Sequence, residues 1–133
     1  MYQINYLAVL VMAIAYFAIG AIWYSPVLFG KAWMEALGKS AEEIKAGASP
    51  KLYLGAFVSA LALCYIMAHF VKYVNATTFW GGVITGFAAW VGFVATVMGM
   101  NALFQGTSGR LYIIDAGYAL VGMILAGGVL AVW

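Results

Sequence analysis

With 133 residues, 67% of them hydrophobic and only 8% charged, the chain carries far less charge than the roughly one quarter usual in soluble domains. Mean hydropathy is +1.03, and one globular core of this size has no room for so much apolar surface, so a water-soluble fold is excluded and lipid is the expected solvent. The net charge of +2 comes from six basic and four acidic residues, too few and too scattered for nucleic acid, and the lone Cys64 cannot form an internal disulfide.

Crossing about 30 Å of hydrocarbon takes roughly 20 apolar residues as a helix. Four segments meet that length, approximately 3–24, 51–73, 78–104 and 111–133. The expected fold is all-α: one domain over residues 1–133, an integral membrane four-helix bundle with a short interfacial helical segment after the first span. Short links, VNAT and QGTSG, join the last three spans and predict that consecutive helices are antiparallel neighbours.

The first span begins MYQIN, without Lys or Arg, and its apolar run continues past the small residues Ala13–Ala15, which predicts an uncleaved helix rather than a secretory signal. It ends in WYSPVLFGKAW. Trp23 and Tyr24 have the amphipathic rings that suit a membrane interface, and Pro26 disfavours helix at Ser25. In the link, 25–50, Val27, Leu28, Trp33, Met34 and Leu37 alternate with Lys31, Glu35 and Lys39, as in a helix lying in the interface. Ser40 and Glu43 have capping-box spacing, and Ser49-Pro50 is a helix start. Glu35, Glu42 and Glu43 read as solvated.

In the second span Ala56, Ala60, Cys64 and Ala68 recur every four residues, a smooth stripe that lets another helix approach. His69 lies near the far end, with Tyr65, Lys72 and Asn5 as its expected polar company. The third span has Gly82 and Gly86 in a GxxxG spacing, and the fourth has Gly122 and Ala126 at the same interval. These stripes suit either packing within one subunit or a homo-oligomer interface. Asp115 is the one acidic residue within a span, about four residues into the last helix or roughly 6 Å deep. Tyr24, Ser25, Tyr53, Asn101, Gln105, Arg110 and Tyr112 should share its depth, giving a candidate polar cluster that clasps the helix ends or holds an ion or substrate. His69 should lie roughly 20 Å from it in depth.

Lys31, Lys39, Lys45, Lys51 and Arg110 flank one side of the membrane and Lys72 the other, which predicts a cytoplasmic 25–50 link and both termini outside.

WYSPVLFGKAW, GFVATVMGMNALFQG and LYIIDAGYALVGMILAGGVLAVW resemble the small bacterial membrane family called domain of unknown function 1761, over nearly the whole chain. The resemblance implies a four-helix protein of a bacterial inner membrane and brings no catalytic residue. By motif there is no nucleophile elbow, zinc-protease helix, phosphate-binding loop or paired carboxylate. The expectation is therefore a non-enzymatic subunit, without cofactor or metal and with no nucleic-acid partner, that packs in the lipid bilayer with itself or in a larger membrane complex. A small transporter or channel is the alternative, and a membrane-embedded enzyme the second. A carrier would need a polar path, but mid-membrane positions offer only Ser59, Thr85 and Thr96, and no span is visibly broken at mid-depth.

Overall fold

A computed structural model describes residues 2–133, and every regular element in them is helical. Helix α1 (Tyr6–Trp23) starts where the Asn5 side chain accepts a hydrogen bond from the Ala8 amide, 3.1 Å. It stops ahead of Pro26, and the chain reverses: the Phe29 amide donates to the Trp23 carbonyl and that of Gly30 to Ser25, both at 2.9 Å. Gly30 is required here, because a Cβ would lie 2.6 Å from the Tyr24 carbonyl oxygen.

The link contains two short helices rather than one, α2 (Gly30–Leu37) and α3 (Ala41–Gly47), separated by a left-handed Gly38. Ser40 and Glu43 form both halves of the capping box. Helix α4 (Pro50–Tyr73) opens with Ser49 capping the Leu52 amide and Pro50 in the first turn, as the sequence predicts.

The third span is not a continuous α-helix. It comprises α5 (Phe79–Ala89), a π-helical stretch (Trp90–Ala95) and α6 (Thr96–Gln105), so the expectation of an uninterrupted helix at mid-depth is corrected. Sequence gave little warning, since WVGFVA contains no proline and a single glycine. Helix α7 (Gly109–Val132) follows, capped by Ser108. Four helical stretches, Tyr6–Trp23, Pro50–Tyr73, Phe79–Gln105 and Gly109–Val132, are long and apolar enough to cross a membrane.

Helices α1, α4 and α7 pack mutually around Ala8, Met12, Ala13, Tyr16, Ala60, Cys64, Met67, Ala68, Met123, Ala126 and Leu130. Ala60, Cys64 and Ala68 of the small-residue stripe are buried there; Ala56 is exposed and makes no part of it. Helix α5 docks chiefly on α7, in the most extensive contact of the molecule. A Cβ on Gly82 would overlap the Gly127 carbonyl, one on Gly127 would overlap that of Gly82, and one on Gly86 would overlap Met123. Gly122 accommodates the Tyr16 ring. The GxxxG groove is thus filled by α7 of the same chain. Because α5 is drawn to α7, it touches α4 only slightly despite the short VNAT link that joins them, which corrects the expectation that these two would pack as neighbours.

Candidate functional site

Helix α7 enters at Gly109, so Asp115 is its seventh residue and lies about 9 Å along the axis, deeper than the sequence reading placed it. Around it, three elements converge. From the end of α1, the Tyr24 hydroxyl donates to Asp115 Oδ1 at 2.7 Å and Trp23 Nε1 donates to the Ile114 carbonyl at 2.9 Å. From the π stretch, Trp90 Nε1 donates to the Ala116 carbonyl at 2.9 Å. In return, α7 sends the Tyr112 hydroxyl to the Ala95 carbonyl and the Tyr118 hydroxyl to the Tyr16 carbonyl, both at 2.8 Å. Residues 112–118 are therefore tied to the first and third spans by five hydrogen bonds, every one of them with an aromatic donor.

Local sequence explains the placement. Trp23 and Tyr24 are successive residues at the helix end, so their side chains diverge and reach separate acceptors on α7. The SPVLFG reversal then returns the chain over them. The Phe29 ring lies 4.7 Å from Trp23 and the Trp33 ring of α2 lies 5.2 Å, edge-on, from Tyr24, whose other face meets Tyr118 at 5.6 Å. The carboxylate is thus approached by a phenol flanked by two further rings. Among described buried side chains, every nitrogen and oxygen has a partner.

The cluster inferred from depth is smaller than expected. Tyr24 and Asp115 meet, with Tyr112 close by in sequence but bonded to Ala95. Ser25, just past the end of α1, donates to the Ile22 carbonyl of that helix. Arg110 pairs not with Asp115 but with Glu35 of α2, at 3.2 Å, and Glu35 stays exposed, as the sequence reading expects. Tyr53, Asn101 and Gln105 are exposed and outside the bonded group. The residues that sequence reasoning missed are Trp23, Trp90, Tyr16, Tyr118 and Glu35. A usable signal existed in the aromatics, because an indole or phenol donor inside a span has no water to satisfy it.

At the opposite end, the Tyr2 hydroxyl is 2.6 Å from His69 Nδ1, and Tyr65 presents its ring edge-on to the imidazole at 4.7 Å, with Tyr73 at 5.9 Å. Loss of hydration, and then Tyr73, push the Tyr2 phenol up to about 12, so it stays protonated. Tyr65 is the expected company of His69. Asn5 is not, being occupied as the α1 cap, and Lys72 lines a separate crevice with Gln3, Asn5 and Trp133. Helix α1, 18 residues long, separates this group from the Asp115 end by about 27 Å.

WYSPVLFGKAW, the GFVATVMGMN region and LYIIDAGYALVG, distant in sequence, are the stretches that meet at residues 112–118. No curated protein and no solved structure matches the chain. Residues 7–131 match the family described as protein of unknown function DUF1761, and the chain belongs to that family.

Proposed function

We propose that the protein is a non-enzymatic integral membrane subunit that acts by packing, with copies of itself or in a larger membrane complex. Its setting is a bacterial inner membrane, with the 25–50 link in the cytoplasm and the termini outside. The observation that supports this reading best is the use of the mid-membrane hydroxyls. Ser59, Thr85 and Thr96 each donate to the carbonyl four residues back in their own helix, at 2.8 Å. Side chains committed in this way do not line a polar path, and the Asp115 end is closed by aromatic ties that stabilise the bundle.

The alternative, a small transporter or channel, is favoured by one feature, the π-helical stretch, because such turns are frequent at functional sites and give a helix a place to rearrange. Two measurements on the full chain separate the readings. In mild detergent and in nanodiscs, a subunit of the proposed kind has a mass that is a multiple of the 14.2 kDa chain. In proteoliposomes it carries no flux of alkali cations, protons or small organic cations above that of empty vesicles. A monomeric mass together with a saturable flux would replace the proposal by the transporter reading. Orientation is read by single cysteines at Ser40 and Asn75 in a Cys64→Ala background: reagent added outside intact cells should label position 75 and not 40.

A further inference from the structure

The π-helical stretch sets the orientation of everything that follows it in the third span. A π turn pairs each amide with the carbonyl five residues back and so holds one residue more than an α turn. Helix α6 is therefore wound back by one residue, about 100° and 1.5 Å, from where a continuous α-helix would place it. In this winding Met98, Gly99 and Ala102 are the half-buried side of α6, and a Cβ on Gly99 would lie 3.6 Å from the Tyr112 hydroxyl. Asn101 and Gln105, four residues apart on one face, are exposed and take no part in the bonds that tie α7 to the third span. Gln105 closes the helix and can reach headgroups. Asn101 lies about 6 Å deeper, where an amide without a partner is costly. Inside the stretch, the Thr96 hydroxyl donates to the Gly92 carbonyl at 2.8 Å, so a carbonyl that the wider pairing leaves over still has a donor.

We propose that the third span is a helix with two registers: Trp90–Ala95 changes between π and α winding, and α6 turns with it so that Asn101 leaves lipid for the side of α7 that carries Tyr112. The sense of the winding supports this. At about 100° per residue, Asn101 stands about 110° and Gln105 about 70° behind the middle of the face formed by Met98, Gly99 and Ala102. Returning the surplus residue to α winding turns α6 forward by about 100°, which carries Asn101 to within about 10° and Gln105 to within about 30° of the line that now faces α7. Rotation in the opposite sense would move both away from α7. Bonds exchange in step. The Tyr112 hydroxyl now holds the Ala95 carbonyl at the end of the stretch; rewinding turns Ala95 away and sets the Asn101 amide on that side in its place. The Gly92 carbonyl then takes the Thr96 amide and releases the Thr96 hydroxyl, so the backbone is satisfied in both registers. Nothing in α6 resists the turn: it buries no residue, a Cβ on Gly92 would meet nothing within 4 Å, and a left-handed Gly106 followed by Thr107 and Ser108 separates it from α7. The inference depends on the membrane fold and not on the role proposed above.

The test is pulsed electron resonance on the full chain in nanodiscs, in a Cys64→Ala background. One spin label sits on Leu103→Cys of α6 and the other on Leu54→Cys of α4 or Ile22→Cys of α1, all exposed positions. A turn of about 100° moves a site on the helix surface, 5–6 Å from the axis, by about 8–9 Å. Leu103 should therefore show two distances to the reference labels, whereas the pair Leu54 and Ile22 shows one. Deleting Gly92 removes the surplus residue and leaves α6 in its present orientation on a regular helix, so the shortened chain should keep the first distance alone. Asn101→Leu removes the amide that the α register brings to α7, and should reduce the second population about threefold to twentyfold, the worth of one interhelical hydrogen bond in lipid. A single distance in the wild type, two distances that persist after the deletion, or a shortened chain found only at the second distance would each overturn the proposal. So would unchanged populations in Asn101→Leu. Should the shortened chain fail to fold, the full-length pair decides: two distances in the wild type with the second depleted in Asn101→Leu uphold the two registers, and any other result removes them.

Discussion

The two halves of the third span are both long apolar stretches without a charge, and they are held in opposite ways. Helix α5 lies backbone to backbone on α7, with Gly82, Gly86 and Ala89 buried, whereas α6, one π-helical stretch later, buries no residue at all. In water such a difference would follow from hydrophobicity. In lipid it cannot, because tails are as apolar as leucine and give no drive for helices to meet. What distinguishes the halves is the absence of side chains at Gly82 and Gly86. Where α6 begins, Val97, Met100, Leu103 and Phe104 face outward and the backbone stays away from its neighbour. There the molecule relies on polar tips instead: Trp90 and Tyr112 bridge the π stretch to α7, and Tyr24 bridges α1 to Asp115.

The largest effect should come from breaking the backbone contact. Gly82→Ile with Gly86→Ile places branched side chains where carbonyls of α7 now sit, and overpacking of about 1–3 kcal/mol at each site should destabilise the bundle by about 2–6 kcal/mol. Thermal unfolding in detergent reads this as a large drop in melting temperature. Because the glycines are covered by α7 of the same chain, assembly mass in the still-folded sample should not change. A fall in mass without a change in melting would mean that these glycines serve a partner instead.

Next in size is the tie at the link end. In Asp115→Asn the amide oxygen still accepts from the Tyr24 hydroxyl, so melting should stay near that of the wild type. Asp115→Leu strands a partly buried phenol and should cost about 1–3 kcal/mol. Identical melting of all three proteins would show that the Tyr24–Asp115 bond holds nothing together, and the half of the molecule around α6 would need another explanation for its stability.

Length and end signals were legible in the sequence because they are local. The spans appear within a few residues of their expected limits, and Ser40-Glu43, Ser49-Pro50 and the Pro26 break act as their chemistry predicts. Depth was legible only coarsely, since Asp115 is the seventh residue of α7 and Gln105 the last of α6. Rotation about the helix axis was not. A helix in lipid is apolar all round, so no amphipathic face says which side meets the bundle, and residues assigned to one depth were grouped although Tyr53, Asn101 and Gln105 point away. For the same reason the sequence left two partners open for the GxxxG pair. The π stretch was invisible because WVGFVA holds no breaker residue, and the bonds of Trp90 to Ala116 and of Ala95 to Tyr112 that accompany it join residues distant in sequence.

The aromatic ties should give smaller and separable effects. Trp90→Phe removes the donor to the Ala116 carbonyl and Tyr112→Phe the donor to Ala95, while both keep most of the ring. Interhelical hydrogen bonds in membranes average about 0.6 kcal/mol and reach about 1.7, so each variant should lower stability within that range. If the π stretch persists because of these bonds, amide exchange at Trp90–Ala95 should quicken more than exchange in α5. Equal protection in both variants and the wild type would separate the helix irregularity from its aromatic partners.

The smallest effect, and the finest test of the comparison, comes from one methyl group placed at two glycines of the same span. In Gly86→Ala the new Cβ meets the Met123 backbone, with its carbonyl carbon only 2.9 Å away, whereas in Gly92→Ala it meets nothing within 4 Å. The first should therefore destabilise clearly. The second should leave melting within about 0.5 kcal/mol of the wild type, as for any substitution away from a packed feature. Intrinsic preference does not reverse this order, since glycine to alanine favours a helix at both positions by at most about 1 kcal/mol. Measuring the pair at several ratios of protein to detergent adds a second reading. If Gly92→Ala melts like the wild type when dilute but loses stability when concentrated, a second copy packs on the open face around Gly92, and self-association runs through the loosely held half of the span and not through its GxxxG pair. If it is neutral at every ratio, that face meets only lipid, and any assembly must use another surface.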